Sequence, residues 1–416
     1  MSNRRVRLAD IAELTVGYVG NMAKQYTDTG VKFLRSLNIK PFHIVEDDLK
    51  YISEEFSGSL SKSILHENDL IIVRTGMPGT CCVVPKEYEN CNCADVVIVR
   101  PNLKKVNPHY LAAYINVWGK KQVENNKVGA IQKHFNVKSA EEMLIDLPDL
   151  EQQYKVAKVL TDLNGKIFIN EKINDYLEQQ LQLLYDYWFT QYNFPNEDGQ
   201  PYKASNGLMV WNKMINHLIP ADWKVNPLST ICSFRNGVNY DKNVDGNTIY
   251  KIINVRNISS STLFLDESNF DEICLPKQQG DKYCVSDESI IIARSGIPGA
   301  TRILCNPGSN IIFCGFIICC TPYDDTLQNY LTLYLRQFEG SSATQTGGSI
   351  LKNVSQETLK NLIVPIPPQS LLNQFNDSIL PIYNLINSNT KENVQLITLR
   401  DWLLPMLMNG QATIED

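Results

Sequence analysis

The sequence predicts an α+β protein with two tandem domains separated by a long antiparallel coiled coil, arranged as a pseudo-two-fold internal repeat. Three observations support this fold class. The chain of 416 residues repeats itself once at an almost constant spacing. Each repeat begins with short β-branched runs that are typical of strands. Each repeat ends with a long series of apolar residues at helical spacing.

An octapeptide marks the repeat. Residues 73–80, with the sequence VRTGMPGT, recur at 293–300 as ARSGIPGA, an offset of 220. Leu147 recurs as Ile366, an offset of 219, so one net residue separates the two registers. Solenoid repeats are only about 20–50 residues long. The longer period indicates a duplicated domain.

The first part of each repeat predicts an α+β domain. β-Branched runs such as 69–74 and 311–319 are separated by Gly, Pro, Asn and Asp, which is the pattern of short strands joined by loops. The turn-rich residues 194–207 predict a hinge between the halves. We therefore divide the chain into a first domain, a first helical spacer with linker, a second domain and a second helical spacer, at residues 1–149, 150–210, 211–368 and 369–416.

The second part of each repeat predicts a coiled coil. Core positions recur at alternating steps of four and three along residues 156–188 and again along residues 375–407. Two asparagines interrupt each seam near its middle. They are Asn170 and Asn174 in the first seam, and Asn389 and Asn393 in the second.

The asparagines predict how the helices pair. If the helices run antiparallel about a two-fold axis, the two asparagine pairs face each other. A slip of one heptad then leaves amide groups unpaired, at a cost of about 1–3 kcal/mol each, so the asparagines set the register. The alternative is two unrelated amphipathic helices, each packed on its own domain. Pro381 is expected to kink the second helix or to mark its start.

Composition limits the class of protein. The net charge is −6, and the domains are near neutral, with 19 basic and 18 acidic residues in 1–150 and 12 against 14 in 221–367. DNA binding therefore cannot depend on the field of the domains alone. The eleven cysteines lack the paired spacing of zinc sites, which favours reduced core thiols. With no secretory signal and no apolar run longer than the ten residues 311–320, we expect a soluble, cytoplasmic protein without a membrane partner.

The sequence contains no evident catalytic constellation. Residues 107–110, Asn-Pro-His-Tyr, are similar to the Asn-Pro-Pro-Tyr loop of amino-methyltransferases but lack its second proline, and a turn before a helix is the favoured interpretation. The five histidines show no metal-ligand spacing, and no phosphate-binding Gly-x4-Gly-Lys-Ser/Thr loop occurs. The chain is therefore predicted to be non-enzymatic.

The repeated glycine turn is a candidate DNA-binding site. A β-branched strand runs into a turn whose two glycines permit positive φ and close backbone approach. Basic and hydroxyl side chains at the strand end are suited to phosphate or base-edge contacts. The alternative is a tight hairpin that serves folding alone. Together with residues that follow matching loops downstream, the candidates are Arg74, Thr75, Lys133 and His134 in the first repeat, and Arg294, Ser295, Lys352 and Asn353 in the second.

Along its whole length the chain resembles the specificity subunit of a Type I restriction–modification system. The most specific stretches are 147–153 (LPDLEQQ), 166–170 (KIFIN) and 184–189 (LYDYWF), with the linker 194–223. The second spacer departs from the family pattern, because the Pro-Pro-Gln at 367–369 lacks the Glu-Gln that usually follows. This departure concerns the start of the second helix.

The resemblance implies two target-recognition domains, each recognising one half of a bipartite, asymmetric site in double-stranded DNA. It also implies that the helices dock two modification subunits, which carry S-adenosylmethionine and methylate adenine. Restriction subunits would add an ATP- and Mg-dependent motor and a nuclease. No cofactor or metal is expected on this chain itself. Alternatives of another class are a fused nuclease or methyltransferase, and a coiled-coil scaffold that binds proteins.

Overall fold

A computed structural model describes residues 4–119, 122, 135–240, 246–339, 354–408, 411, 412 and 414. The chain divides into two compact units. The first unit comprises residues Met1–Ile169 and Gln395–Asp416, and the second comprises Asn170–Val394. Each unit therefore contains one α+β domain and a portion of both long helices.

The first unit begins with short strands and helices and ends in a long helix. Its strands are β1 (Arg4–Arg7), β2 (Ala12–Val16), β3 (Tyr26–Thr27), β4 (Val31–Leu34), β5 (Ile39–Lys40), β6 (His43–Ile44), β7 (Lys50–Ile52), β8 (Leu70–Val73), β9 (Cys81–Val83), β10 (Asn92–Cys93), β11 (Val96–Pro101) and β12 (Leu144–Leu147). Its helices are α1 (Glu54–Ser59), α2 (Pro108–Tyr114), which a π-helical turn continues over Ile115–Gly119, α3 (Val137–Glu141) and the start of α4 (Leu150–Tyr185).

The main sheet of the first unit has the strand order β2-β11-β8-β9. Its central strand β8 is buried along its whole length. Leu70 and Ile72 pack into one apolar core, whereas Ile71 and Val73 pack into another on the opposite face. Burial on both faces explains why the strand is continuously apolar rather than alternating. A second sheet has the order β10-β4-β7-β3, and β1 pairs antiparallel with β12.

The second unit has the same construction. Its strands are β13 (Met209–Asn212), β14 (His217–Pro220), β15 (Lys224–Pro227), β16 (Cys232–Asn236), β17 (Thr248–Ile253), β18 (Asp271–Leu275), β19 (Ile290–Ala293), β20 (Thr301–Ile303), β21 (Ile311–Phe313), β22 (Ile317–Pro322) and β23 (Ile363–Ile366). Its helices are α5 (Val255–Ser260), α6 (Lys277–Gly280), α7 (Gln328–Arg336), α8 (Gln356–Lys360) and most of α9 (Gln369–Met408).

The sheet order β16-β22-β19-β20 of the second unit matches β2-β11-β8-β9 of the first, strand for strand. The pair β15–β23 matches β1–β12. The central strand β19 is again buried on two faces, with Ile290 and Ile292 in one core and Ile291 and Ala293 in another. The predicted fold class of two α+β domains in an internal repeat is therefore confirmed.

Helices α4 and α9 pack antiparallel inside each unit. In the first unit, Val156 and Leu160 of α4 share a core with Leu404 and Leu407 of α9. In the second unit, residues of both helices share a core with the domain, namely Leu181, Tyr185, Phe375, Ile379 and Ile386. Higher residue numbers on one helix accompany lower numbers on the other, so the helices run in opposite directions.

Helix α9 begins at Gln369 and continues through Pro381 to Met408. The interpretation that Pro381 marks the start of this helix is therefore wrong. The start follows Pro367 and Pro368, which fits the bias against helical conformation in a residue that precedes proline. Helix α4 begins after Asp149, whose carboxylate accepts a hydrogen bond from the backbone N–H of Gln152 at 2.9 Å.

The four seam asparagines lie in the second unit and meet in two pairs. Asn170 donates from Nδ2 to Oδ1 of Asn393 at 2.9 Å, and Asn389 donates from Nδ2 to Oδ1 of Asn174 at 2.9 Å. Asn170 also donates to Oε2 of Glu392 at 2.8 Å. Of the four, Asn170 is the most deeply buried, with 1% of its surface exposed. These two amide–amide hydrogen bonds form only in this register.

Helix α4 is joined to the second domain by Glu178. Its carboxylate accepts hydrogen bonds from the hydroxyl of Thr262 and, at 3.0 Å, from the backbone N–H of Leu263. The guanidinium of Arg336 lies 3.5 Å away. Burial raises the pKa of the Glu178 carboxyl above its ordinary value, and these contacts oppose the shift.

Replacing Asn170, Asn174, Asn389 and Asn393 together with Leu should raise the free energy of unfolding by about 1–4 kcal/mol, because apolar burial replaces paired polar groups. Thermal denaturation should show a higher melting temperature. Asn170→Leu alone is the matched control. It removes the hydrogen bonds that Asn170 donates to Asn393 and Glu392 and should lower stability by about 1–3 kcal/mol. A fourfold variant that melts earlier than the parent protein would contradict this account.

Candidate functional site

The glycine turn between β8 and β9 is closed by reciprocal backbone hydrogen bonds. The N–H of Val73 donates to the carbonyl of Thr80 at 2.8 Å, and the N–H of Gly79 donates to the carbonyl of Val73 at 3.1 Å. Gly76 and Gly79 have φ values of 78° and 88°. This left-handed backbone favours glycine at both positions.

The turn between β19 and β20 repeats this geometry. The N–H of Ala293 donates to the carbonyl of Ala300, and the N–H of Gly299 donates to that of Ala293, both at 2.9 Å. Gly296 and Gly299 have φ values of 79° and 83°. Each unit therefore presents the same rigid turn at the end of a strand buried on both faces.

In the first unit, Arg74 and Thr75 lie against neighbouring protein groups. Arg74 donates from Nε to the carbonyl of Phe135 at 3.1 Å, and its Nη1 lies 3.9 Å from Oδ1 of Asp95. Only 18% of the Arg74 side chain is exposed. Thr75 donates from its hydroxyl to the carboxylate of Asp95. Arg74 is therefore mostly covered, because its guanidinium lies against the carbonyl of Phe135 and near the carboxylate of Asp95.

In the second unit, Arg294 is exposed and Ser295 is half-buried. Arg294 donates from Nη1 to the carbonyl of Gly315 at 3.2 Å, and its backbone N–H donates to the carbonyl of Phe316 at 2.9 Å. The backbone of Arg294 is thus held by a hydrogen bond, while the exposed guanidinium has further N–H donors that can reach a ligand. A guanidinium in this position suits a phosphate or the edge of a guanine.

Sequence reasoning missed two residues beside these turns, Asp95 and Phe316. In the first sheet Val96 pairs with Val73, and in the second sheet Ile317 pairs with Ala293. Asp95 and Phe316 therefore occupy equivalent positions, each directly before the paired residue. Their offset is 221 rather than 220, so alignment of the strands instead of the octapeptides would have matched them.

A groove of about 560 Å³ adjoins the first glycine turn. Thr75, Met77 and Asp95 line one part of it, and Arg35 and Lys40 line another. Arg35 also donates from Nη2 to Oδ2 of Asp48 at 2.9 Å. The groove thus combines cationic, acidic and apolar groups, which suits contacts with bases as well as phosphates.

The remaining predicted site residues, Lys133, His134, Lys352 and Asn353, lie outside the described residues. All eleven cysteines are free thiols, and most are buried, which raises the pKa of Cys91 and Cys305 to about 11. The part of the chain that the structure describes contains no group of three His, Cys, Asp or Glu side chains placed to hold a metal ion. Among its helices, none combines the length and apolar character that a membrane crossing requires.

The repeat in the structure coincides with a repeated family match. The family described as the Type I restriction modification DNA specificity domain matches residues 3–179 and again residues 220–396. The chain belongs to the specificity-subunit family of Type I restriction–modification systems. The two matches follow the two sheets described above, each with the glycine turn at the end of its central strand.

Two curated relatives carry the same designation. The chain is 25% identical over 292 residues to the Type I restriction enzyme MjaIX specificity subunit of Methanocaldococcus jannaschii, a match that covers 66% of this chain but only 62% of that protein. It is 20% identical over 372 residues to the HindI specificity subunit of Haemophilus influenzae, covering 76% of this chain and 80% of that one.

A solved structure shares the fold. The crystal structure of the Type I restriction–modification S subunit from M. genitalium matches with a TM-score of 0.55 at 11% identity, and the match covers 98% of this chain and 96% of that chain. Specificity subunits of this family are DNA-recognition subunits. The glycine turns therefore become the first place to test for DNA contacts.

Arg294→Ala should weaken DNA binding by about 1–3 kcal/mol without changing the melting temperature, because the side chain is exposed. Arg74→Ala should weaken binding similarly and also lower stability by about 1 kcal/mol, through loss of the hydrogen bond to Phe135. The effects on binding should add, since the residues lie in different units and contact different groups, Phe135 and Asp95 for Arg74 and Gly315 for Arg294. Titration with DNA that contains the recognition site, over a range of salt concentrations, measures the loss of affinity. Thermal denaturation measures the loss of stability.

The salt dependence distinguishes the type of contact. Loss of a phosphate contact weakens binding to all sequences and flattens the salt slope, whereas loss of a base contact relaxes one position of the site. Folded Arg294→Ala protein that binds DNA as tightly as the parent would show that the second turn is only structural.

Proposed function

We propose that each unit recognises one half of a bipartite, asymmetric site in double-stranded DNA, and that the chain itself catalyses neither methylation nor cleavage. The observation that carries this proposal is the duplicated turn. The same pattern of backbone hydrogen bonds and similar positive φ values recur in both units, while the side chains around the turns differ. A shared backbone geometry that carries different side chains is suited to two domains that recognise different DNA sequences.

The helices are the proposed docking elements for two modification subunits, which would bind S-adenosylmethionine and methylate adenine. Restriction subunits would join this assembly with ATP and Mg. The charge of the chain supports this division of labour. With a net charge of −6 and near-neutral domains, the chain lacks the broad positive field of a protein that binds DNA unaided. Partner subunits would supply much of the contact with the phosphates.

Exchange of residues 1–145 for the corresponding segment of another family member should change only one half of the recognised site. The physical reason is that each sheet and turn is assembled within a single unit. Mapping of methylated adenines in DNA from cells that express the complete system measures both half-sites at once. Exchange of residues 221–365 is the matched control and should change only the other half.

Two results would count against the proposal. If either exchange altered both half-sites, the units would not recognise DNA independently. If the purified chain alone cut or methylated DNA, the chain would be an enzyme rather than a recognition subunit.

A further inference from the structure

The equivalent positions 95 and 316 carry side chains of opposite chemistry. Asp95 is an anionic hydrogen-bond acceptor, and 46% of its side chain is exposed. Phe316 is apolar, and 63% of its surface is exposed. Each residue precedes the strand position that pairs with the last residue before a glycine turn. The backbone position is therefore the same in both units, and only the side chain at that position differs.

Asp95 is held in place with part of its carboxylate still available. Oδ2 accepts hydrogen bonds from the hydroxyls of Thr75 and, at 3.2 Å, Ser36. Oδ1 lies 3.9 Å from Arg74, beyond hydrogen-bond distance. The backbone of Asp95 has φ of 56°, an unusual left-handed value for a residue other than glycine. Asp95 also lines the groove beside the turn.

Phe316 has a fixed backbone and an exposed ring. Its carbonyl accepts the N–H of Arg294 at 2.9 Å, and the N–H of the next residue, Ile317, donates to Cys314 at 3.0 Å. A Cβ atom at Gly315 would collide with the side-chain oxygen of Asn239, so the chain at this turn is closely packed. An ordered turn that holds a large apolar ring in solvent, beside an exposed arginine, is suited to a ligand with an apolar group.

We propose that positions 95 and 316 determine one base each in the two half-sites. Asp95 accepts a hydrogen bond from the exocyclic amino group of a base, cytosine N4 above all, and Phe316 contacts the methyl group of a thymine. Both are established forms of direct readout in the major groove. The inference rests on the proposed function, because it presupposes that each unit contacts DNA.

The test uses the complete modification complex and a binding site defined with the parent protein. Each thymine in the half-site of the second unit is replaced in turn by deoxyuridine, which removes only the methyl group. One such replacement should weaken binding of the parent protein several-fold and leave binding of Phe316→Ala unchanged. Tyr323→Ala is the matched control, because Tyr323 is an exposed aromatic residue just beyond the other end of the same strand, with 70% of its surface exposed. It should retain the parental response.

Asp95→Asn is tested by methylation mapping in cells. It should reduce discrimination at one position of the half-site of the first unit by about tenfold, the scale of one base-edge contact, and leave the other half-site unchanged. Phe316→Ala should do the converse, so each variant is the control for the other. Thermal denaturation of both variants identifies any loss of folding, and Asp95→Glu, which keeps the carboxylate, should restore part of the preference.

The outcomes separate this inference from the proposed function. If the parent complex shows no sequence-specific methylation, the proposed function fails. If the parent shows a bipartite site but folded Asp95→Asn and Phe316→Ala keep every base preference, the roles of positions 95 and 316 are overturned while the proposed function stands. If no deoxyuridine replacement affects the parent differently from Phe316→Ala, the thymine contact is overturned.

Discussion

Burial of the central strand on both faces is the constraint on which each unit depends. In β8 and β19, neighbouring residues enter different apolar cores. A strand that is apolar on both faces gains stability from burial, but its hydrophobic pattern does not distinguish one register from the next. The glycine turn supplies that distinction. The hydrogen bonds between Val73, Gly79 and Thr80 form in one register only. The turn therefore sets the strand register, which burial does not determine.

In the paired helices, polar side chains set the register. Apolar residues of α4 and α9 fill the seam in both units, and a shift of one heptad would preserve most of that burial. The pairs Asn170–Asn393 and Asn174–Asn389 cannot shift without losing their hydrogen bonds. In the strands and in the helices alike, hydrophobic burial provides most of the stability, and a few polar groups select the register.

Features that depend on local pattern could be predicted from the sequence. The asparagines at the middle of each seam and the two glycines of each turn lie within short, regular spacings, and the repeat is visible because such short patterns occur twice. Features that depend on distant partners could not. Arg74 is covered because its Nε donates to the carbonyl of Phe135, 61 residues away, and no local pattern encodes that contact. Asp95 and Phe316 become equivalent only through strand pairing, since their offset differs from that of the octapeptides by one residue.

A duplicated fold can recognise two different sequences only if the residues that differ between the copies are not those that stabilise the fold. Gly79 and Gly299 have positive φ and close their turns, so substitution at either position destabilises the fold. Arg302 is likewise fixed, because its buried guanidinium binds both carboxylate oxygens of Glu339 at 2.7 and 2.8 Å. Phe316, in contrast, is mostly exposed on a turn that backbone hydrogen bonds hold. Substitution at such a position has little effect on stability, so the chemistry presented to a ligand can diverge between the two units while the fold stays the same.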